Sequence, residues 1–347
     1  MSPKPALTSV DRANAAKRLA RVLAIRGPLL ARAALGHLRP DSRLEGDWRE
    51  RYERARRDLG ASDSVFKPAK QWRFISFLFQ RMIRGFGLDD FKSTFGRFLA
   101  AYEPYNRRYF EALHHVYWKA IEERDTLGLL QRLEEPEVGR GDTVNVHGRR
   151  VTMDLLQSID EFYRIKDAMG FDVNDPIVFC EIGAGYGRVP YVALRAMPNA
   201  RYFIFDLPES LLLSQYYLTT LFPSSSALLY PESSERGREA WKTARLAFGL
   251  PDQIRELEPK SVDVVLNIYS FMEMSTEQVK AYFDAIERLD PQGLYIKQHK
   301  HEVNLLEQSL LTNELYPVRP SWKPVYEGTS VLYEDVFEAV YRIRGQS

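Results

Sequence analysis

The chain has 347 residues, enough for two domains or for one large domain with an extension. Apolar residues make up 45% and charged residues 27%, which excludes a disordered, collagen-like or low-complexity chain. The net charge is +1, so a globally basic nucleic-acid-binding protein is not expected. No apolar run approaches the roughly 18 to 20 residues of a membrane span, and the only cysteine, Cys180, cannot form an internal disulfide. The simplest location is therefore the reducing cytoplasm.

The first 60 residues are more basic than the rest of the chain. They carry 14 Lys and Arg against 7 Asp and Glu, and apolar residues recur at helical spacing over residues 15–23. We favour an exposed helix with a solvated charged face. Two alternatives stay open. One is a basic amphipathic helix in peripheral contact with an anionic membrane, at its inner face, and the other is an Arg-rich targeting segment.

Residues 45–133 have the pattern of α-helices. Apolar and aromatic residues recur at spacings of three and four, with glycines and a proline between the segments. A turn-rich stretch follows at residues 134–142. The sequence therefore predicts a mainly α-helical N-terminal domain over residues 1–150 and a second domain over residues 151–347.

The second domain begins with a helix and continues with short apolar runs. Thr152 is suited to cap a helix that ends at Gly170. From residue 173 onward, amphipathic segments separate runs that have the composition of buried strands. These runs are Ile177–Cys180, Tyr202–Phe205, Ala227–Tyr230, Val262–Leu266 and Leu294–Lys297. The alternation predicts a parallel, doubly wound α/β sheet, and Val336–Arg344 predicts a last strand at or near an edge.

A glycine-rich motif follows the first of these strands. It reads Glu181-Ile182-Gly183-Ala184-Gly185-Tyr186-Gly187. In an open α/β sheet the ligand lies beyond the carboxyl ends of the strands, and glycines let the backbone approach it closely. The next strand ends at Asp206, the usual place for a carboxylate that accepts hydrogen bonds from a ribose. The pattern predicts a nucleoside-containing cofactor at this edge.

The motif distinguishes between two cofactors. A dinucleotide fold requires G-x-G-x-x-G, but Arg188 stands at the third glycine position, and Glu181 would repel a pyrophosphate. The observed form, acidic-x-G-x-G-x-G, resembles the first motif of class I S-adenosylmethionine-dependent methyltransferases. In that interpretation Glu181 serves the cofactor's ammonium group, directly or through water.

Further stretches sharpen the resemblance. They are Leu133–Gly139, His147–Asp154, Ser158–Tyr163, Asn267–Met274, Tyr316-Pro317 and Trp322. With the glycine motif they resemble the sugar O-methyltransferase family that accompanies capsule, lipopolysaccharide and exopolysaccharide synthesis. The resemblance begins at about residue 105. It implies a Rossmann-like class I methyltransferase fold and O-methylation of a sugar hydroxyl on a polysaccharide, a lipid-linked glycan or a nucleotide sugar.

The resemblance also implies roles for single residues. Methyl transfer to oxygen is an in-line displacement, and a sugar hydroxyl needs a general base. We predict His301 or Glu273 as this base, with His299 third, because each follows the carboxyl end of a strand; the two histidines, two apart on an extended chain, are expected to face one side. The predicted cofactor-binding residues are Glu181, Gly183, Ala184, Gly185, Tyr186, Gly187, Asp206, Leu207, Asn267 and Tyr163. No metal site is predicted. Trp322, Trp72 and Trp118 are weaker candidates for stacking on a sugar ring.

Several alternatives were weighed. A methyltransferase acting on another small-molecule hydroxyl, or a non-enzymatic scaffold of a glycan-assembly complex, remains open. A nucleic-acid base methyltransferase is disfavoured, because the chain has no Pro-Pro pair after its fourth predicted strand or elsewhere. An NAD-dependent oxidoreductase is disfavoured by Arg188 and Glu181. We predict no nucleic-acid partner, and a homo-oligomer stays open.

Overall fold

The computed structural model describes residues 44, 46–62, 64–93, 107–304 and 309–344. The basic segment at residues 15–23 lies outside the described residues. The helices are α1 (Gly46–Ala61), α2 (Lys70–Phe86), α3 (Arg107–Glu122), α4 (Leu129–Arg132), α5 (Met153–Met169), α6 (Arg188–Ala196), α7 (Pro208–Leu221), α8 (Glu232–Glu235), α9 (Arg238–Thr243) and α10 (Thr276–Leu289). The strands are β1 (Val144–Val146), β2 (Arg149–Val151), β3 (Val178–Ile182), β4 (Arg201–Phe205), β5 (Ala227–Leu228), β6 (Leu246–Gly249), β7 (Val264–Ile268), β8 (Gly293–His299), β9 (His301–Asn304), β10 (Ser309–Thr312), β11 (Lys323–Thr329) and β12 (Val336–Arg342).

An eight-stranded sheet forms the centre of the fold. Its order is β11-β12-β8-β7-β3-β4-β6-β5, and β12 is the strand that runs opposite to the others. The order reverses at β3, where the chain passes first to β4 on one side and later to β7 on the other. This confirms the predicted doubly wound sheet and places a ligand crevice at the carboxyl ends of β3, β4 and β7.

Helices cover both faces of the sheet. Phe179 of β3 belongs to an apolar layer with α5, α6 and α7, whereas its neighbour Cys180 belongs to a layer with α10. This follows from the two-residue period of a strand. The helix α5 begins as predicted, since the Thr152 hydroxyl accepts the Leu155 N–H at 3.1 Å, and it ends at Gly170 in the left-handed conformation.

Three strand predictions need correction. Ala227–Tyr230 forms only the two-residue edge strand β5, and the true neighbour of β4 is β6, which the sequence analysis missed. The strand β11 was also missed; β12 lies second from the edge, which agrees with its prediction as a strand at or near an edge. Last, His299 ends β8 and His301 begins β9 in a separate two-stranded sheet, with Lys300 between them. The two histidines are therefore not on one face of one strand.

The helical region before residue 133 is confirmed where the structure describes it. Helices α1 and α2 pack on the start of α7, where the hydroxyls of Tyr52 and Ser76 each donate to the buried carboxylate of Glu209 at 3.1 Å. The helical region thus lies against the edge of the sheet at which the ligand crevice is expected. Within the described residues, no helix combines the length and the apolar character needed to cross a bilayer.

Candidate functional site

Three glycines shape the loop that follows β3. Gly183, Gly185 and Gly187 have φ angles of +76°, +61° and +91°, which L side chains rarely adopt. A Cβ on Gly183 would lie 2.1 Å from the Ser270 hydroxyl oxygen, whereas a Cβ on Gly185 would meet nothing within 4 Å. Gly183 is therefore required by packing against the residues after β7, while Gly185 borders open space, as a ligand cradle requires.

Asp206 holds this loop at the carboxyl end of β4. Its carboxylate accepts the Gly185 N–H at 2.9 Å on one oxygen and the Leu207 N–H at 2.7 Å on the other. Burial raises the pKa of Asp206 to about 7, although these backbone hydrogen bonds lower it. Each carboxylate oxygen keeps a lone pair that can accept a hydroxyl. The geometry fits the role predicted for Asp206, which is to receive a ribose.

Glu181 lies beneath the loop, on β3. It is 2% exposed, and its carboxylate accepts the Tyr202 hydroxyl at 2.7 Å. Burial raises the pKa of Glu181 to about 7. Within the protein the carboxylate is thus engaged by a neighbouring strand, and its contact with a ligand ammonium stays a prediction.

Polar contacts anchor the loop to α5. The Tyr186 hydroxyl donates to Asp154 at 2.8 Å, and the guanidinium of Arg188 donates to both carboxylate oxygens of Glu161 at 2.6 and 2.9 Å. The buried ammonium of Lys297 on β8 donates to Glu161 at 2.9 Å. Arg188, which a dinucleotide fold would replace with glycine, therefore connects the loop through Glu161 to the strand that carries His299.

Lys92 sits behind the loop in an aromatic cage. Its ammonium lies 4.2 Å from the centroid of the Tyr217 ring and 5.0 Å from that of Tyr186. It pairs with the buried Glu135, which also accepts the Thr152 hydroxyl at 2.7 Å. The cage thus joins the residues after α2 to the glycine loop and to the N-terminus of α5.

This cage explains part of the stretch Leu133–Gly139. Glu135 supplies the carboxylate, and the Gly139 carbonyl accepts the Lys92 N–H at 2.8 Å. A Cβ on Gly139 would lie 2.5 Å from the ring of Phe91. In the sequence this stretch supports only the resemblance, because Lys92 lies 43 residues from Glu135 and no local pattern joins the two.

Among the predicted bases, His299 has the most suitable surroundings. Its Nδ1 lies 2.9 Å from a carboxylate oxygen of Asp335, and its ring centroid lies 5.7 Å from that of Tyr269. Tyr269 follows β7 with a φ of +56°, a conformation that is strained for a non-glycine residue. Asp335 was missed, since only the pairing of Val336 with His299 brings it here. His301 is exposed at the start of β9.

Glu273 lies after β7 and is half-buried. Its carboxylate accepts the indole N–H of Trp72, on α2, at 2.6 Å. This hydrogen bond brings α2 to the carboxyl end of β7. Trp72 was considered for sugar stacking, but its partner could not be found from the sequence because the two residues are 201 positions apart.

Other predicted site residues are used inside the fold. Asn267 is fully buried, donates to the Ile182 carbonyl at 2.8 Å and accepts the Phe271 N–H at 2.9 Å, so it stabilises the ends of β3 and β7. Tyr163, predicted at the cofactor, is instead buried in the core, where its hydroxyl donates to Asp125 at 2.7 Å.

Two of the three tryptophans predicted as stacking candidates are also core residues. Trp118 is 1% exposed and Trp322 is 5% exposed. The Trp322 ring stacks on Phe283 with centroids 5.8 Å apart. Neither ring is free to stack on a sugar. Over the described residues, no group of three His, Cys, Asp or Glu side chains could hold a metal ion.

Comparisons with known proteins found similar solved structures. No family model and no curated protein matches the chain. A S-adenosylmethionine-dependent methyltransferase from Aquifex aeolicus is 13% identical, over 53% of this chain and 90% of that one, with a TM-score of 0.35. The bifunctional kinase-methyltransferase WbdD is 14% identical, over 55% and 38% of the two chains, with a TM-score of 0.36. The pyocyanin biosynthetic protein PhzM is 14% identical, over 67% and 69%, with a TM-score of 0.33.

The strand order itself decides the fold. Six neighbouring strands, from β8 to β5, are parallel, and the antiparallel β12 is inserted between β8 and β11. The chain has the Rossmann-like, doubly wound α/β fold predicted from its sequence.

Proposed function

We propose that the protein is an S-adenosylmethionine-dependent O-methyltransferase that acts on a sugar hydroxyl. The observation that best supports this cofactor is the hydrogen bond from the Gly185 N–H to the Asp206 carboxylate at 2.9 Å, with open space beside Gly185. Gly183, Gly185 and Gly187 would form the cradle, and Asp206 with Leu207 would hold the adenosine end. The bound cofactor supplies an electrophilic methyl group on a sulfonium.

A base and a cofactor cradle lie on the same edge of the sheet. Asp206 follows β4 and His299 ends β8, and β3 and β7 lie between them. At about 4.8 Å per strand, the two ends are about 14 Å apart. An acceptor over β7 and β8 and a cofactor over β3 and β4 would therefore meet between these residues. The strained Tyr269 and the carboxylate of Glu273 lie in the same region.

His299 is the general base of this proposal. Asp335 accepts the Nδ1 proton of His299 and so fixes the tautomer in which Nε2 is the acceptor. As the hydroxyl oxygen forms its bond to the methyl carbon, its proton passes to Nε2. The chemistry that the bound cofactor would supply there includes release of a neutral thioether. Asp335 stabilises the resulting imidazolium and does not itself need to be protonated.

The proposal that the acceptor is a sugar rests on the resemblance of Leu133–Gly139 and Asn267–Met274 to the sugar O-methyltransferase family. Contacts of both stretches support this proposal. The first contributes Glu135 to the Lys92 cage, and the second contributes Tyr269, Ser270 and Glu273 to the end of β7.

Calorimetric titration tests the cofactor. We expect S-adenosylmethionine and S-adenosylhomocysteine to bind wild type with micromolar Kd values and NADH not to bind. In Asp206→Ala, the affinity for both sulfur ligands should fall at least tenfold. Binding of NADH alone would overturn the proposal, and absence of all binding would favour the scaffold. Transfer of a labelled methyl group to glycan acceptors then tests the sugar.

A further inference from the structure

A cleft of about 290 Å³ lies between α1, α2 and the start of α7. One wall is formed by Leu207, Pro208 and Glu209, which directly follow Asp206 in the chain. The cleft therefore adjoins the place proposed for the ribose. Its opposite walls come from the helical region, through residues on α1, on α2 and on the loop between them.

The charge of the cleft is strongly positive. Arg56, Lys67 and Arg73 line it, against the single carboxylate of Glu209. That carboxylate is 3% exposed and already accepts the hydroxyls of Tyr52 and Ser76, and the Arg56 Nε lies 3.9 Å from it. Neither Lys67 nor Arg73 has an ion-pair partner in the described part of the chain. Two cations thus face the cleft without compensation.

The start of α2 adds to this field. Lys67 precedes the helix and Arg73 lies in its first turns, while Ala69, at the N-cap, has no side chain that could cap it. The first turn contains no acidic residue. The partial positive charge at the helix N-terminus therefore adds to that of the two side chains.

The proposed cofactor does not account for these cations. The cleft adjoins the part proposed for its adenosine end, which is neutral. Its sulfonium is positive, and its one carboxylate belongs to the amino-acid end that is proposed to lie toward Glu181, so cations beside Leu207 bring no attraction. An anion on the second substrate would be attracted, because phosphate oxygens pair with Arg and Lys in charge-assisted hydrogen bonds.

We infer that this cleft binds the phosphate groups of an acceptor whose sugar is linked to a diphosphate. The inference rests on the proposed function and narrows its substrate class. Two kinds of molecule share this chemistry, a nucleoside diphosphate sugar and a polyprenyl diphosphate-linked sugar. An unphosphorylated polysaccharide would leave Lys67 and Arg73 unpaired.

Inorganic pyrophosphate is the first probe, titrated into the full chain by calorimetry at low salt. We expect saturable binding to wild type and at least a tenfold weaker affinity in the double variant Lys67→Gln/Arg73→Gln. Both side chains are exposed, so the variant should fold. Arg81→Gln is the matched control, because Arg81 lies on the same helix over the Phe77 ring, outside the cleft. It should bind pyrophosphate within twofold of wild type.

S-adenosylhomocysteine is titrated into the same proteins. Binding of S-adenosylhomocysteine without pyrophosphate binding, or an unchanged pyrophosphate Kd in the double variant, would overturn the inference and leave the proposed function standing. Pyrophosphate binding without S-adenosylhomocysteine binding would overturn the proposed function instead. The two sources are then distinguished by their affinities. The Kd of uridine diphosphate is compared with that of uridine, and the Kd of farnesyl diphosphate with that of farnesol in detergent micelles. If one of the two diphosphates binds at least tenfold more tightly than pyrophosphate, it identifies the source as the nucleotide or the lipid.

Discussion

The two halves of the ligand crevice are built in different ways. The cofactor half is local: β3, the glycine loop and Asp206 lie within a segment of 29 residues, and one hydrogen bond from Gly185 to Asp206 closes it. The acceptor half is assembled from distant segments, since Trp72 of α2 reaches Glu273, and Asp335 beside β12 reaches His299. The comparison teaches that one half can be found from a motif, whereas the other exists only once the sheet and the helical region have come together.

Removal of the general base His299, which belongs to the acceptor half, should have the largest effect on activity. We expect His299→Ala to lower kcat by 10²- to 10⁴-fold, the range for loss of a general base, and Asp335→Asn to lower it less. The Kd of S-adenosylhomocysteine should stay within twofold. The kcat is measured by methyl transfer to a glycan that the enzyme accepts, and the Kd is measured by calorimetry. His301→Ala is the control and should retain activity; a loss confined to His301→Ala would move the base to β9.

Lys92 tests whether the halves are physically joined. Removing one partner of a buried ion pair costs about 3–5 kcal/mol, because the other charge stays buried and unpaired. We therefore expect Lys92→Met to lower the free energy of unfolding by about that amount in urea titrations. The double variant Lys92→Met/Glu135→Gln should recover part of the loss. If S-adenosylhomocysteine affinity is unchanged in the folded single variant, the cage does not position Tyr186.

The buried acid of β3 makes the cofactor half sensitive to pH. Burial raises the pKa of Glu181 to about 7, above its ordinary value of 4.5. Its contribution to stability is full below pH 4.5 and is lost as the pH rises through 7. We expect Glu181→Gln, which removes this ionisation, to stabilise the protein by up to about 3 kcal/mol at pH 8.5 and little at pH 4.5. Thermal unfolding across this range measures the difference; equal stabilisation at both pH values would contradict the assignment.

Ligand binding should respond to pH in the opposite direction. Asp206 also has a pKa raised to about 7 by burial, and a ribose is bound best by the ionised carboxylate. The affinity for S-adenosylhomocysteine should therefore fall as the pH drops below 7, by up to about tenfold per unit, since one proton is taken up. Calorimetry from pH 5.5 to 8.5 checks this. A flat profile would mean that neither Asp206 nor Glu181 changes charge with the ligand.

Alanine substitutions of two glycines should have the smallest effect on stability, and they distinguish a backbone requirement from a role in ligand binding. Gly185 and Gly148 have φ angles of +61° and +82°, and a Cβ on either meets nothing within 4 Å. Alanine at each position should cost about 1–2 kcal/mol of stability, the cost of the left-handed conformation. Only Gly185→Ala should also weaken S-adenosylhomocysteine binding, by at least tenfold. Equal binding in both variants would remove Gly185 from the cradle.

The predictability of each half follows from this architecture. The glycine loop and Asp206 could be predicted because their spacing alone places them at adjacent strand ends. His299 was ranked below His301 because the sequence does not show that the chain leaves the sheet at Lys300, nor that Asp335 lies opposite. Trp322 does lie in a Pro-rich loop, but its ring packs on Phe283 and is not free to stack on a sugar. Strand β6 was missed because a run of only three apolar residues followed by Gly-Leu-Pro resembles a turn.

The insertion of β12 between β8 and β11 has a consequence for synthesis. A nascent chain that has emerged through β8 already contains the glycine loop, Asp206 and every strand of the cofactor half, but β8 still has one unpaired edge. Asp335 and the strand that covers this edge emerge about 40 residues later, and domains begin to fold before the chain is finished. A ribosome-bound intermediate can therefore bind the nucleoside before it can catalyse the reaction. At that moment the unpaired backbone groups along the edge of β8 are open to pairing with another chain.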